Sequence, residues 1–192
     1  EKRREKMKTI QVELNSLAPL MFNTFRGQEE IPPERKLNLL NEDGITVILP
    51  GSNILGFLTS RLVGRSCINT FVDSRQRPER QAEVMASVSI GPVEIPILGA
   101  GNKPIKFDGS WDGQVYIDER AAQASKTARV MARRPTIRMP WSVQFTMSLA
   151  ETDFVTEERM RDWFVSGGLM VGLGAFRPFF GRFSVARWEV SE

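Results

Sequence analysis

Histidine is absent from this 192-residue chain, and cysteine occurs once, at Cys67. Without histidine, the usual general base, the usual proton shuttle and the commonest metal ligand are missing. Serine or cysteine nucleophiles activated by an imidazole are excluded, and so are zinc sites built from cysteine and histidine. Catalysis through carboxylates or lysines stays open. A single cysteine excludes an internal disulfide, which fits a reducing compartment. No apolar run approaches the roughly 20 residues of a helical membrane span. The opening Glu1–Lys6 lacks the apolar stretch of a signal peptide. A cytoplasmic location, with no membrane partner, is the expectation.

What is present is ordinary in bulk: 41% hydrophobic and 26% charged residues, with a formal net charge of +3. A chain of this size buries roughly 70% of its unfolded surface and needs neither disulfide nor metal to fold. A single domain over residues 1–192 is expected. The charge is unevenly spread. Lys126, Arg129, Arg133, Arg134 and Arg138 form one run without an acid, and Arg75, Arg77 and Arg80 stand against Glu79 alone. Clustered positive charge is the footprint a polyanion needs, although most charge runs are solvated surface.

Hydrophobic periodicity predicts the elements. Ile10, Val12 and Leu14 alternate with Gln11 and Glu13, a half-buried strand. Residues 23–43 read as a long polar loop, and 44–50 as a short strand ending at Pro50. Ser52 or Asn53 then caps a helix over about 53–64, in which Gly56 implies close packing or close approach of a ligand. Residues 66–83 show little periodicity. A strand pair or bulged strand surrounds Gly91-Pro92, a glycine-rich loop covers 99–113, Gln114–Ile117 is a brief strand, and 121–127 is a flexible loop tip. Trp141, Val143, Phe145, Met147 and Leu149 alternate with polar residues, the cleanest strand in the chain. Thr156 caps a helix with Glu157 and Glu158 in its first turn and Met160, Trp163 and Phe164 on its apolar face. A strand over 182–190 closes the chain. The order is β-α-β-β-α-β around a large insertion between the second and third core strands, an α+β, ferredoxin-like (RRM-like) arrangement.

The densest signal lies near the end. Gly167, Gly168, Gly172, Gly174 and Gly181 fall within fifteen residues, interleaved with Arg177, Arg182, Phe176, Phe179 and Phe180. A helix cap followed by a tight turn accounts for two of these glycines but not five. Backbone N–H groups, guanidinium forks and rings in one place suit phosphates and bases. The stretch runs from helix to strand and so is no dinucleotide fingerprint; lacking Gly-Lys-Ser/Thr, it is no Walker A loop. A second anion site is possible where Pro50-Gly51-Ser52-Asn53 opens the first helix. Phe22, Phe25, Phe107 and Trp111 sit in loops, either stacking on bases or anchoring those loops. Glu29, Glu30 and Glu34 are a carboxylate group fit for Mg²⁺ or for plain solvation.

Three segments together resemble the RAMP superfamily, the repeat-associated proteins of CRISPR effector complexes. They are Ser16–Asn23, Leu49–Leu58 with its Pro-Gly-Ser-Asn, and Gly168–Phe183. Arg133–Phe145 and Gly168–Phe183 also resemble small RAMP-like proteins of phages and mobile elements. The resemblance implies a core of about 7–65 and 139–192, with about 66–138 inserted as web and thumb. It implies RNA binding by subunits arrayed along a guide. Relatives that cut RNA use an aspartate after the first strand or a histidine; this chain has no aspartate between Leu14 and Glu42, and no histidine. The expectation is therefore a non-catalytic subunit, without cofactor or metal, on single-stranded nucleic acid, RNA ahead of DNA, within a homo-oligomer or ribonucleoprotein. Arg177, Arg182 and the backbone of Gly172, Gly174 and Gly181 would hold phosphates. Ser52 and Asn53 would add contacts, Arg133, Arg134 and Arg138 would extend the track, and Arg26 would reach it from the first loop. The alternatives are a metal-dependent nuclease using Glu29, Glu30, Glu34 or Asp43, and a phage interaction protein that engages a host complex.

Overall fold

The computed structural model describes residues 7–23, 32–61, 65–123 and 129–191. Nine strands and four α-helices are placed among them: β1 (Met7–Ser16), β2 (Leu20–Met21), β3 (Ile48–Pro50), α1 (Gly51–Thr59), α2 (Cys67–Phe71), α3 (Arg77–Ser87), β4 (Val88–Gly91), β5 (Glu94–Leu98), β6 (Val115–Gln123), β7 (Arg129–Ile137), β8 (Ser142–Ala150), α4 (Glu157–Met170) and β9 (Phe183–Ser191). Helices packed on antiparallel sheet make this an α+β fold, as the periodicity implied.

The strictly alternating segment is the middle of the larger sheet, whose order is β3-β5-β8-β1-β9, with β4 also paired to β8. β4 runs against residues 146–149 of β8 and β5 against residues 142–143, so both lie along one side of the same strand. Between them Pro92 removes a ladder donor. The range 66–138 thus supplies two strands to this sheet. Its other two, β6 and β7, pair with β2 in a separate three-stranded sheet.

One face of the large sheet is dry. Ile10, Val12, Leu14, Val143, Met147 and Leu149 are fully buried beneath Ile54, Phe57 and Leu58 of α1 and Met160 and Phe164 of α4. Phe57 meets Phe164 at 5.2 Å and Phe183 at 5.4 Å between ring centroids. Tilted pairs of this kind add about 0.5–1.5 kcal/mol each beyond the area they bury. At Gly168, α4 lies directly on β9, because a Cβ there would stand 2.9 Å from the ring of Phe183.

Several sequence-based expectations change. Helix α1 spans 51–59 rather than 53–64; of that predicted range, residues 62–64 lie outside the described residues. Its N-cap position is Pro50, with no side-chain cap, so Ser52 and Asn53 belong to the first turn. Gly56 has open space around it instead of a close neighbour. The aperiodic stretch 66–83 holds α2 and most of α3; only Val84 and Ser87 of α3 are buried, too few to write a stripe. The brief strand at 114–117 is the start of β6, which continues to Gln123, and only part of the expected loop tip, 124–127, lies outside the described residues. α4 runs through Gly167 and Gly168 without interruption, capped as expected by Thr156, whose Oγ1 accepts from the Arg159 N–H at 3.2 Å.

Candidate nucleic-acid interface

The glycine-rich loop joins α4 to β9. Gly172, Gly174 and Gly181 have φ of +74°, +72° and +74°, a region that side-chain-bearing residues rarely adopt. Two of them also meet backbone too closely for a Cβ: Gly174 meets the Met21 carbonyl, and Gly181 meets that of Leu173. The loop's N–H groups serve this closure. Gly172 donates to Gly167 (2.9 Å), Leu173 to Gly181 (2.9 Å), Ala175 to Met21 (2.8 Å) and Gly181 to Pro19 (2.8 Å). The glycines therefore let the loop lie on itself and on residues 19–21. The N–H groups of Gly172 and Gly181, expected to meet phosphates, are bonded within the protein.

What that closure builds is a cleft of about 340 Å³, lined by Phe22, Asn23, Asn38, Pro50, Ser52, Asn53, Gly174 and Ala175. It brings together three of the predicted residues, Ser52, Asn53 and Gly174, from distant parts of the chain. The first turn of α1 forms one wall, and the opening N–H groups of a helix favour negative charge.

Beside the loop stands the β6–β7 hairpin. Tyr116, Asp118 and Arg120 share one face of β6, and Arg134 of β7 pairs with Asp118 in register. Arg120 is bound to the Asp118 carboxylate, which raises its pKa. Its guanidinium lies 4.5 Å from the ring centroid of Phe180, 5.1 Å from Phe176 and 5.6 Å from Phe179. Phe180 is buried, whereas Phe176 is 44% and Phe179 68% exposed. Burial pushes the pKa of Arg134 down, opposed by Asp118 and reinforced by Arg120. Arg138 lies 4.2 Å over Tyr116, and its Nε donates to the Gly113 carbonyl at 3.2 Å. The result is a surface of arginines and rings, chemistry suited to a backbone that carries negative charge and bases that stack.

Not every expected residue joins it. Arg133 ion-pairs with Glu119 at 2.7 Å, one residue out of phase with Arg134 along β7. Arg177 turns inward: its Nη1 donates to the Gly172 carbonyl at 3.2 Å, and burial and then the charge of Arg65 push its pKa down. Arg182 is exposed at the loop's end. Arg26 lies outside the described residues. Arg120 and Tyr116, which carry much of the surface, escaped the sequence reading; the Tyr-x-Asp-x-Arg alternation was the available signal.

Other expectations resolve without a ligand. Phe22 is buried, and Phe107 and Trp111 stack at 4.5 Å against the core, so all three anchor loops; Phe25 lies outside the described residues. The open face of the large sheet shows Gln11, Glu13, Ser89, Gln144, Thr146, Ser148 and Arg187, and β1, β4, β8 and β9 add no ring to it. Exposed stacking surface is at the loop instead. Among the described residues no three acids or cysteines gather to hold a metal ion. Asp43 accepts from Thr46 Oγ1 and from the N–H groups of Thr46 and Ile45, which lowers its pKa to about 2. Glu29, Glu30 and the side chain of Glu34 lie outside the described residues. Burial pushes the Cys67 thiol well above its ordinary range.

No family model matches the chain, and no curated protein matches it. Among solved structures, it is similar to a chain of the Type III-B Cmr-beta bound to cognate target RNA, determined by cryo-electron microscopy. The TM-score is 0.54 at 14% sequence identity, over 97% of this chain. The chain spans 61% of the length of that neighbour. The likeness is one of fold.

Proposed function

We propose that this chain is a non-catalytic subunit that binds single-stranded nucleic acid, RNA ahead of DNA, within a multi-subunit complex of the CRISPR effector kind. The observation that carries the reading is the meeting of Arg120 with the exposed rings of Phe176 and Phe179, on a hairpin that also carries Arg134 and Arg138, near the cleft of Ser52, Asn53 and Gly174. The neighbour with the similar fold is in a structure that holds RNA. On this reading the core is ferredoxin-like: β1, β4 with β5, β8 and β9 are its four strands, α1 and α4 its two helices, and β6–β7 an inserted hairpin. Arg120 and Arg134 attract the phosphates, the exposed rings of Phe176 and Phe179 stack on bases, and the first turn of α1 takes a further phosphate. The absence of histidine motivates the non-catalytic part.

Binding of oligouridylate and oligodeoxythymidylate, titrated at several salt concentrations, tests this. The double variant R120Q/F179A is expected to lose roughly 5- to 150-fold in affinity for every sequence through the stacked base. Its log-log salt slope should fall by about 0.7 through the lost phosphate contact. Affinity and slope equal to wild type refute the assignment.

A further inference from the structure

The run Arg75, Arg77 and Arg80 is the basic feature that the interface leaves unused. Arg80 is committed elsewhere, bound to Glu83 at 2.8 Å and lying 4.7 Å over Phe154. Arg77 instead joins Arg61 in a second cleft of about 340 Å³, where the end of α1 meets α2 and the start of α3. Asn69, Ser74 and Gln81 share the lining, which among the described residues contains no acid.

Several acceptors in and beside this cleft are already used. The Thr59 carbonyl accepts from Gln81 Nε2 at 2.7 Å, and the Ser60 carbonyl accepts from Ser66 Oγ at 2.7 Å and Asn69 Nδ2 at 3.0 Å. Val72 O accepts from Arg77 Nε at 3.0 Å, and Gln81 Oε1 from Arg61 Nε at 3.1 Å. Both guanidinium groups are thus held through Nε, which leaves their Nη atoms as donors. Two fixed positive charges, spare donors and no carboxylate are the chemistry of an oxyanion site; a cation or an apolar guest is disfavoured there.

We propose that the α1–α2–α3 cleft binds a phosphate group of a nucleic-acid strand through Arg61 and Arg77. The idea rests on the nucleic-acid reading above and adds a second contact at the far end of α1 from Ser52 and Asn53. The nine residues of α1 span roughly 13 Å, the reach of a few nucleotides. Arg65, just before α2, is within electrostatic range of Arg177 in the glycine-rich loop.

The test titrates a terminally phosphorylated uridine dinucleotide, too short to fill both clefts, and reads stoichiometry by calorimetry. Wild type, R61Q/R77Q, S74E and R120Q/F179A are compared. S74E adds a negative charge at an exposed lining residue and leaves every hydrogen bond of Arg61 and Arg77 in place, so its effect does not depend on refolding. R61Q/R77Q and S74E are each expected to lose one bound dinucleotide that R120Q/F179A retains. On long oligouridylate, the salt slope of R61Q/R77Q should fall by about 0.7 per phosphate contact removed. Wild-type stoichiometry and slope in both cleft variants overturn the second site and leave the loop interface standing. Loss in the cleft variants with no effect of R120Q/F179A supports the cleft and overturns the loop interface. No binding by wild type overturns both.

Discussion

Two glycines inside helices should respond to alanine with opposite signs. Gly168 of α4 lies on β9: a Cβ there would stand 2.9 Å from two ring carbons of Phe183 and closer still to the Phe183 carbonyl oxygen. That oxygen belongs to backbone paired with β1 at Ser16, so relief means displacing a strand. Overpacking of this kind costs about 1–3 kcal/mol, against which replacing a helical glycine returns up to about 1 kcal/mol. A net loss of about 1–2 kcal/mol is expected for Gly168→Ala, a drop in Tm of about 2–8 °C for a domain of this size. Gly56 of α1 has no atom within 4 Å of the equivalent Cβ. There Gly56→Ala keeps only the helix term, a gain of about 0.5–1 kcal/mol and a rise in Tm of about 1–4 °C. Thermal unfolding followed by circular dichroism at one protein concentration measures both. Shifts of the same sign in the two variants refute the reasoning, because they would mean that contact with β9 does not decide the outcome.

Two further outcomes are open to measurement. Asp43 is more acidic in the folded protein, about 2, than its ordinary value of 3.8, because of its bonds from Thr46 and Ile45. A lowered pKa stabilises the fold above the ordinary value, and that share vanishes as pH falls through the folded one. The stability gap between wild type and Asp43→Asn should therefore be full above about pH 4 and close towards about pH 2; a gap independent of pH contradicts the hydrogen-bonded carboxylate. Thr156→Ala removes the side-chain acceptor for the Arg159 N–H and is expected to cost about 1 kcal/mol. Equal unfolding midpoints in urea for wild type and variant would refute a capping role.

Legibility in the sequence followed the strength of each local pattern. β8 was plain because five apolar residues alternate without a break, and all five are buried. The start of α4 was plain because a cap and an acidic first turn coincide. α3 was hidden, since a helix that buries only Val84 and Ser87 carries no apolar period. β6 and β7 were under-read for a related reason: their mixture of Arg, Ala, Glu and Gln has no alternation of hydropathy, and cross-strand pairing rather than burial defines them. In the site, Ser52, Asn53 and Gly174 were found by type, as a helix start and a glycine-rich loop. Arg120 was not, because its rings come from a loop far along the chain and only the fold places them together. The glycines were noticed for the right conformational reason, and what lies close to them is the chain's own backbone, since positive φ says that something is close and not whether it is a ligand or the chain itself.

The contact of Gly174 and Ala175 with Met21 also sets an order in time. Residues from the first third of the chain and from near its end line one cleft, so it does not exist in any shorter chain that ends before Gly174. Contacts this far apart in sequence form late, after the loops between them have closed. During synthesis the emerging chain is thus without its assembled cleft until nearly all of these residues have been made. On the proposed reading, capture of a strand by that cleft would have to wait until Gly174 and Ala175 are in place against Met21.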